Sequence, residues 1–202
     1  MEQPDFYNTL ELPSMAEYKD RCSKFLGFAF PIGTVPQFKA RLKQLKEEHA
    51  KAAHHCFAYR VGWDKNNFRT ADDGEPAGTA GKVILGQIDS RAVCDAAVVV
   101  VRYFGGILLG VPALTSAYKT VSSLALQLTP IIKKPVLVFY QLTFNYTQMN
   151  EVMMMIKRGG CTILTTESAL FCNMAVGLPR ATEEDCLEQF QTLQGLDIRQ
   201  AT

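Results

Sequence analysis

Long hydrophobic runs, closely spaced cysteine pairs and a strong charge of either sign are missing from this sequence, and each absence closes off a class of protein. The apolar runs break well before the roughly 20 consecutive residues needed to cross a bilayer. The opening Met1-Glu2-Gln3-Pro4 has neither the basic start nor the apolar stretch of a secretory signal. A cytoplasmic protein without a membrane partner is expected. Cys22, Cys56, Cys94, Cys161, Cys172 and Cys186 form no C-x-x-C pair and mostly have apolar neighbours, which reads as reduced, buried thiols. The net charge is +1, with 16 Lys+Arg against 13 Asp+Glu in residues 1–133 and 5 against 7 in residues 134–202. Binding to nucleic acid driven mainly by counterion release needs a far more basic chain, so any such partner must be met by a local patch. With 48% hydrophobic and 20% charged residues the 202-residue chain is ordinary globular material, long enough for two compact domains.

The periodicities predict an α+β protein. A strand-like stretch runs to Phe30 and stops at Pro31-Ile32-Gly33. Val35, Phe38, Leu42 and Leu45 recur at helical spacing, with Lys39, Arg41, Lys43 and Lys46 between them, predicting an amphipathic helix with a basic outer face. A strand is expected at 54–61, turn chemistry at 62–67 and a helix over 78–89 carrying Val83, Ile84 and Leu85 inward. The Ala/Val run at 92–101 suits a strand buried on both faces. A long helix follows from Pro112 to about Leu128. Lys133-Lys134-Pro135 marks a boundary, giving domains 1–133 and 134–202. The second reads strand 136–144, helix 147–157, strands 161–166 and 169–177, helix 183–193 and strand 196–200. This β-α-β-β-α-β order is ferredoxin-like. Thr182 and Asp185 suggest a capping box for the last helix, and Met149 and Met153–Met155 are read as core packing.

Three segments carry potential chemistry. His54, His55, Asp72, Asp73 and Glu75 are of metal-binding type, but their spacing matches no standard ligand set and neighbouring histidines on a strand point to opposite faces. Neither a metal nor a cofactor is expected. In Ala71–Gly81, the amides of Gly78, Thr79 and Gly81 suit either an anion at a helix start or an internal cap by the acids upstream. No G-K-[ST] and no G-x-G-x-x-G is present. Arg102-Tyr103-Phe104-Gly105-Gly106 ends the buried strand, and its Arg and aromatic planes suit stacking on bases. Equally, Arg102 pairs with Asp72 or Asp73 and the glycines serve a turn. No G-x-S-x-G nucleophile motif occurs.

Taken together, Ser23–Gly27, His54–Arg60, Asp72–Pro76 with Gly78–Gly81, and Val101–Ile107 resemble the YigZ/Impact family over about residues 15–130. The tail resembles, by length and pattern, the ferredoxin-like domain of the bacterial branch. The resemblance implies a first domain like the second domain of a small-subunit ribosomal protein and domain IV of elongation factor G, with a left-handed β-α-β arrangement. It also implies a cytoplasmic role around translation, since eukaryotic Impact proteins restrain the starvation kinase that phosphorylates an initiation factor by competing for its activator. Those members carry an RWD domain ahead of the shared one, and this chain is expected to begin after it. One departure stands out. Where the family reads roughly L-G-x-G-G-L-x-R-A-Y, this chain has Leu109–Tyr118 with Pro112 and Ser116, which removes an N–H donor and a cation from the helix start.

The expectation is therefore a non-catalytic protein linked to regulation of translation, meeting the ribosome, structured RNA or a regulatory protein. Arg102, Tyr103, Gly105, Gly106, the 78–81 amides and the basic helix form its expected surface, and homo-oligomerisation is left open. The alternatives are a metal-dependent hydrolase using His54 or His55 with Asp72, Asp73 and Glu75, and an adaptor that pairs an exposed sheet of the second domain with a partner.

Overall fold

The computed structural model describes residues 4–168 and 171–201. The elements run β1 (Phe6–Leu10), β2 (Ser14–Asp20), β3 (Ser23–Pro31), α1 (Val35–Glu48), β4 (His54–Val61), β5 (Asn67–Ala71), α2 (Gly81–Ser90), β6 (Ala96–Tyr103), α3 (Val111–Gln127) and β7 (Ile131–Pro135). They continue β8 (Leu137–Asn145), α4 (Met149–Arg158), β9 (Thr162–Ser168), β10 (Phe171–Pro179), α5 (Glu183–Gln191) and β11 (Asp197–Gln200), with 3-10 turns at Tyr146–Gln148 and Arg180–Thr182. The chain divides into two compact units, Tyr7–Lys134 and the part from Pro135 onward together with the residues before Tyr7.

In the first unit the strands lie in the order β2-β3-β6-β4-β5, every neighbouring pair antiparallel. The alternation of side chains along β6 explains its central place. Ala96, Val98 and Val100 pack with Phe25, Ala29, Cys56 and Ala58 against α2 and α3, while Ala97, Val99 and Val101 pack with Leu26, Phe30, Phe57 and Tyr59 against α1. A strand covered on both faces has no use for polar residues, which is why it reads as an unbroken Ala/Val run. The run begins four residues before the strand does: Ala92 and Asp95 have positive φ and form the turn that enters it. The outer strand β5 follows directly on the Gly62–Asn66 turn, and β1 pairs with β7 as a separate two-stranded sheet; neither pairing was evident from periodicity.

Helix α1 buries Phe38 and Leu45, starts with Pro36 in its first turn and is capped by the Thr34 hydroxyl, which accepts from the Gln37 N–H. Helix α3 sits close to the sheet because Gly27 has no side chain; a Cβ there would lie 2.9 Å from the Val121 carbonyl oxygen.

The second unit has the ferredoxin-like plan, β8-α4-β9-β10-α5-β11, in an antiparallel sheet ordered β11-β8-β10-β9. Tyr140, Leu142, Phe144, Cys172, Met174, Val176 and Leu178 face Val152, Ile156, Cys186 and Phe190 of the two helices. The first two residues of the strand expected over 169–177 lie outside the described residues. Two local expectations are corrected. Thr182 makes no side-chain cap to α5; its hydroxyl lies 3.5 Å from the Pro179 carbonyl, and Glu183, Glu184 and Asp185 alone favour the positive helix end. Of the methionines, Met149 and Met155 pack on the core, whereas Met153 and Met154 face outward.

Two glycines separate close approach from mere permissiveness. Gly27→Ala is expected to cost about 1–3 kcal/mol by forcing β3 and α3 apart. Gly86, inside α2 with open space around its Cα, gains up to about 1 kcal/mol as Gly86→Ala through helix propensity. Urea unfolding of both variants checks the opposite signs.

Candidate functional site

The acidic turn after β5 folds back on itself. The Gly78, Ala80 and Gly81 N–H groups all donate to the Asp72 carboxylate, at 2.9, 3.1 and 2.8 Å, and the Thr79 N–H donates to the Pro76 carbonyl. The start of α2 is thus capped from within. Of the two uses left open for these amides the internal cap is the one adopted, and the 78–81 donors offered for a ligand are already engaged. Burial raises the Asp72 carboxyl, but the bonds from Gly78, Gly81 and Ala80 outweigh it and hold the group below its ordinary value. Positive φ at Asp73, Gly74 and Gly78 gives the turn its tightness. Gly81 has a second reason to be glycine, since a Cβ there would meet the Ala71 backbone at 2.8 Å.

Asp73 ties the turn to β4. Its carboxylate accepts from the His55 N–H at 2.7 Å and lies 3.5 Å from Lys46 Nζ of α1. Its carbonyl oxygen lies 2.8 Å from His54 Nδ1. A carbonyl only accepts, so Nδ1 carries the proton. The two histidines point to opposite faces, as strand geometry requires. Burial and then the nearby Lys46 charge lower the His55 pKa from its ordinary value.

Glu75 goes inward. Its Oε1 accepts from Arg102 Nη1 at 2.7 Å and from the Tyr118 hydroxyl at 2.8 Å, with His54 Nε2 at 3.8 Å. The Cys56 thiol lies 2.9 Å from the Asp72 carbonyl and 3.2 Å from the Tyr118 oxygen, and burial pushes it up to about 12. A neutral, enclosed thiol of that kind is no nucleophile. Arg102 is only 5% exposed; its guanidinium lies over the rings of Phe25 and Phe104, 5.4 and 5.5 Å from their centroids, with Ser23 Oγ at 3.4 Å. The acidic turn and the strand end therefore meet, but inside the domain. The expectation that Arg102 stacks on bases is corrected: it is paired, and with Glu75 rather than Asp72 or Asp73.

The remaining predicted residues do not join one surface. Tyr103 points to the other sheet face from Arg102, where its hydroxyl is 2.9 Å from His49 Nδ1. Along α1, Arg41 lies 3.6 Å from Glu48, Lys43 3.9 Å from Glu47, and Lys46 is shared with Asp73, so the helix face around Lys39 is less cationic than its sequence suggests. Among the described residues, no group of three or more His, Cys, Asp or Glu is arranged to hold a metal ion. The carboxylates assigned to the hydrolase alternative are bound to amides and cations of the same chain.

What does reach the surface is the loop between β6 and α3. Gly105 presses on the β2–β3 turn so closely that a Cβ would fall 1.9 Å from the Cys22 carbonyl oxygen, and Gly106 and Gly110 have φ of 84° and 78°. Leu109 is buried and anchors the loop, and Arg21 Nη1 donates to the Leu108 carbonyl at 3.2 Å. Held this way, Phe104, Ile107, Leu108 and Val111 stand exposed, Leu108 to 82%. Of the strand-end prediction, Gly105 and Gly106 thus shape a surface, whereas Ile107, Leu108 and Val111 were missed. Their signal was present: an apolar run fenced by three glycines.

Together these features define a two-domain α+β protein whose buried acid–arginine network carries a fixed apolar loop. The Impact N-terminal domain profile matches residues 21–126. The IMPACT family member YigZ of Escherichia coli is 35% identical over 161 residues, which covers 79% of each chain. Protein IMPACT of Rattus norvegicus is 39% identical over 108 residues, half of this chain and 33% of that one. A crystal structure described as a hypothetical protein superposes with a TM-score of 0.80 at 29% identity, covering 99% of both chains. The chain belongs to the YigZ/Impact family.

Two substitutions test the turn. Asp72→Ala is expected to lose about 1–2 kcal/mol at neutral pH by freeing three amides. Because the folded Asp72 pKa is depressed, its contribution is complete above the unfolded value of about 3.9 and fades as pH falls through the lower folded value. The wild type and variant should therefore converge only below about pH 4, as read by denaturant unfolding across a pH series. Glu75→Gln leaves a buried guanidinium without its counter-charge and should cost about 3–5 kcal/mol.

Proposed function

We propose that this chain is a non-catalytic regulator linked to translation that docks a protein component of the ribosome through the 104–111 loop. Membership in the YigZ/Impact family supports the translation link, through the role that the resemblance implies for eukaryotic members. The choice of a protein partner rests on one observation: a leucine exposed to 82%, flanked by exposed Phe104, Ile107 and Val111, on a loop shaped by glycines at 105, 106 and 110. Exposed apolar groups that a rigid scaffold holds in place are what a partner's pocket takes up, with water expelled from both sides. Phosphate recognition has less support, because Arg102 is enclosed and Arg41, Lys43 and Lys46 have acidic neighbours. Catalysis has less support still, since the acids, histidines and thiol of the site hold one another.

Salt separates an apolar contact from a phosphate contact. Binding to phosphates weakens steeply between about 50 and 200 mM salt, whereas burial of apolar surface does not. Purified protein is expected to co-sediment with ribosomal fractions across that range, and Leu108→Asp to reduce the bound fraction at least about tenfold while folding stability stays within about 0.5 kcal/mol. No co-sedimentation at any salt would overturn the proposal, as would binding that collapses with salt and ignores Leu108→Asp.

A further inference from the structure

Cys161 follows the Gly159-Gly160 turn at the end of α4, immediately before β9, and Cys186 lies on the inward face of α5. Their sulfurs are 3.8 Å apart. Gly159 makes this approach feasible, because a Cβ at that position would lie 2.6 Å from Cys186 Sγ and 3.1 Å from Cys161 Sγ. The other cysteines are placed differently: Cys56 is held by Asp72 and Tyr118, Cys94 lies 3.9 Å from the Trp63 carbonyl, Cys172 is buried on β10 in the core of the second unit, and Cys22 is exposed on the β2–β3 turn. Cys161 is half-buried and Cys186 buried, so one sulfur of the pair is reachable from solvent and the other waits behind it.

We propose that Cys161 and Cys186 are a paired-thiol modification site, converted by a peroxide into an intramolecular disulfide. The Cys161 sulfur attacks one peroxide oxygen; the O–O bond breaks, and a sulfenic acid and one water form. The Cys186 sulfur then attacks the sulfenic sulfur and the hydroxyl leaves as a second water. Both thiol protons end in water and the two electrons lost by sulfur reduce the peroxide. The sulfurs close from 3.8 Å to about 2.05 Å, a movement within reach of side-chain rotation beside Gly160, which has φ of 64°. Burial, and then the neighbouring Cys186, raise the Cys161 thiol, so only a small thiolate fraction attacks the peroxide and the conversion is slow at neutral pH and faster as pH rises. The product ties the entrance of β9 to α5 across a 25-residue separation and removes freedom from the unfolded chain.

The test uses the full chain carrying Cys22→Ser, which removes the exposed thiol and its intermolecular products. Reduced protein, freed of reductant, is treated with hydrogen peroxide, denatured, alkylated and mapped by mass spectrometry. Alkylatable thiols are expected to fall from five to three, with one species 2 Da lighter linking the Cys161 and Cys186 peptides and reversed by dithiothreitol. Thermal unfolding should shift upward by several degrees on oxidation, and by nothing when Cys161→Ser is added. Five thiols surviving the peroxide, a link between any other pair, or Cys161 over-oxidised without a link would each overturn the assignment.

Discussion

One buried ion pair organises the first unit. Glu75 and Arg102 come from segments 27 residues apart, one on a turn and one at the end of the central strand, and they meet at 2.7 Å with almost no solvent contact. Arginine cannot shed its charge in a protein, so once β6 carries Arg102 into the interior a carboxylate has to follow. The carboxylate is delivered by a turn that Asp72 and Asp73 hold at both shoulders, one against the α2 amides and the other against β4 and α1. Tyr118 closes the arrangement from α3. Five elements are thereby fixed to one another by polar contacts that tolerate little displacement.

That arrangement explains how the same residues invite a catalytic reading. Acids, histidines, a cysteine and an arginine clustered around glycines are the ingredients of many active sites. Their assignment here follows from where each proton and charge is satisfied: Asp72 by three amides, Asp73 by an amide and Lys46, Glu75 by Arg102 and Tyr118, Cys56 by the Asp72 carbonyl. Little unsatisfied capacity is left facing outward. A buried charge pair of this kind is weak evidence of net stability, yet removing either partner alone is costly because it strands the other charge.

Much of the fold was legible because period and composition agreed. The Ala/Val run, the spacing of Val35, Phe38, Leu42 and Leu45, and the strand–helix order after Pro135 each admit few solutions. What escaped was set by partners distant in sequence. β1 and β7 pair across more than a hundred residues, and neither carries an alternation strong enough to announce a strand. The site was legible in its membership but not in its direction. Sequence brought Asp72, Glu75 and Arg102 together as polar residues around a Gly-rich turn, yet whether a charge faces in or out depends on which counter-charge arrives beside it. Thr182 failed as a cap for a related reason: it ends the Arg180–Thr182 3-10 turn, and its hydroxyl is turned back toward the Pro179 carbonyl rather than toward the amides of α5.

The loop after β6 shows what the buried pair makes available outside. Phe104 lies next to Arg102, so the guanidinium that is sealed beneath also supports the first residue of the exposed run. Gly105 packs against Cys22 where no side chain would fit, and Leu109 holds the far end in the core. A loop anchored at both ends has fewer conformations to lose on binding, and that loss is a principal cost of association. A flexible loop displaying the same leucine would bear that cost at each encounter. Pro112 extends the effect by fixing φ in the first turn of α3. The loop and the helix start that follows it are thereby held by backbone geometry as well as by packing.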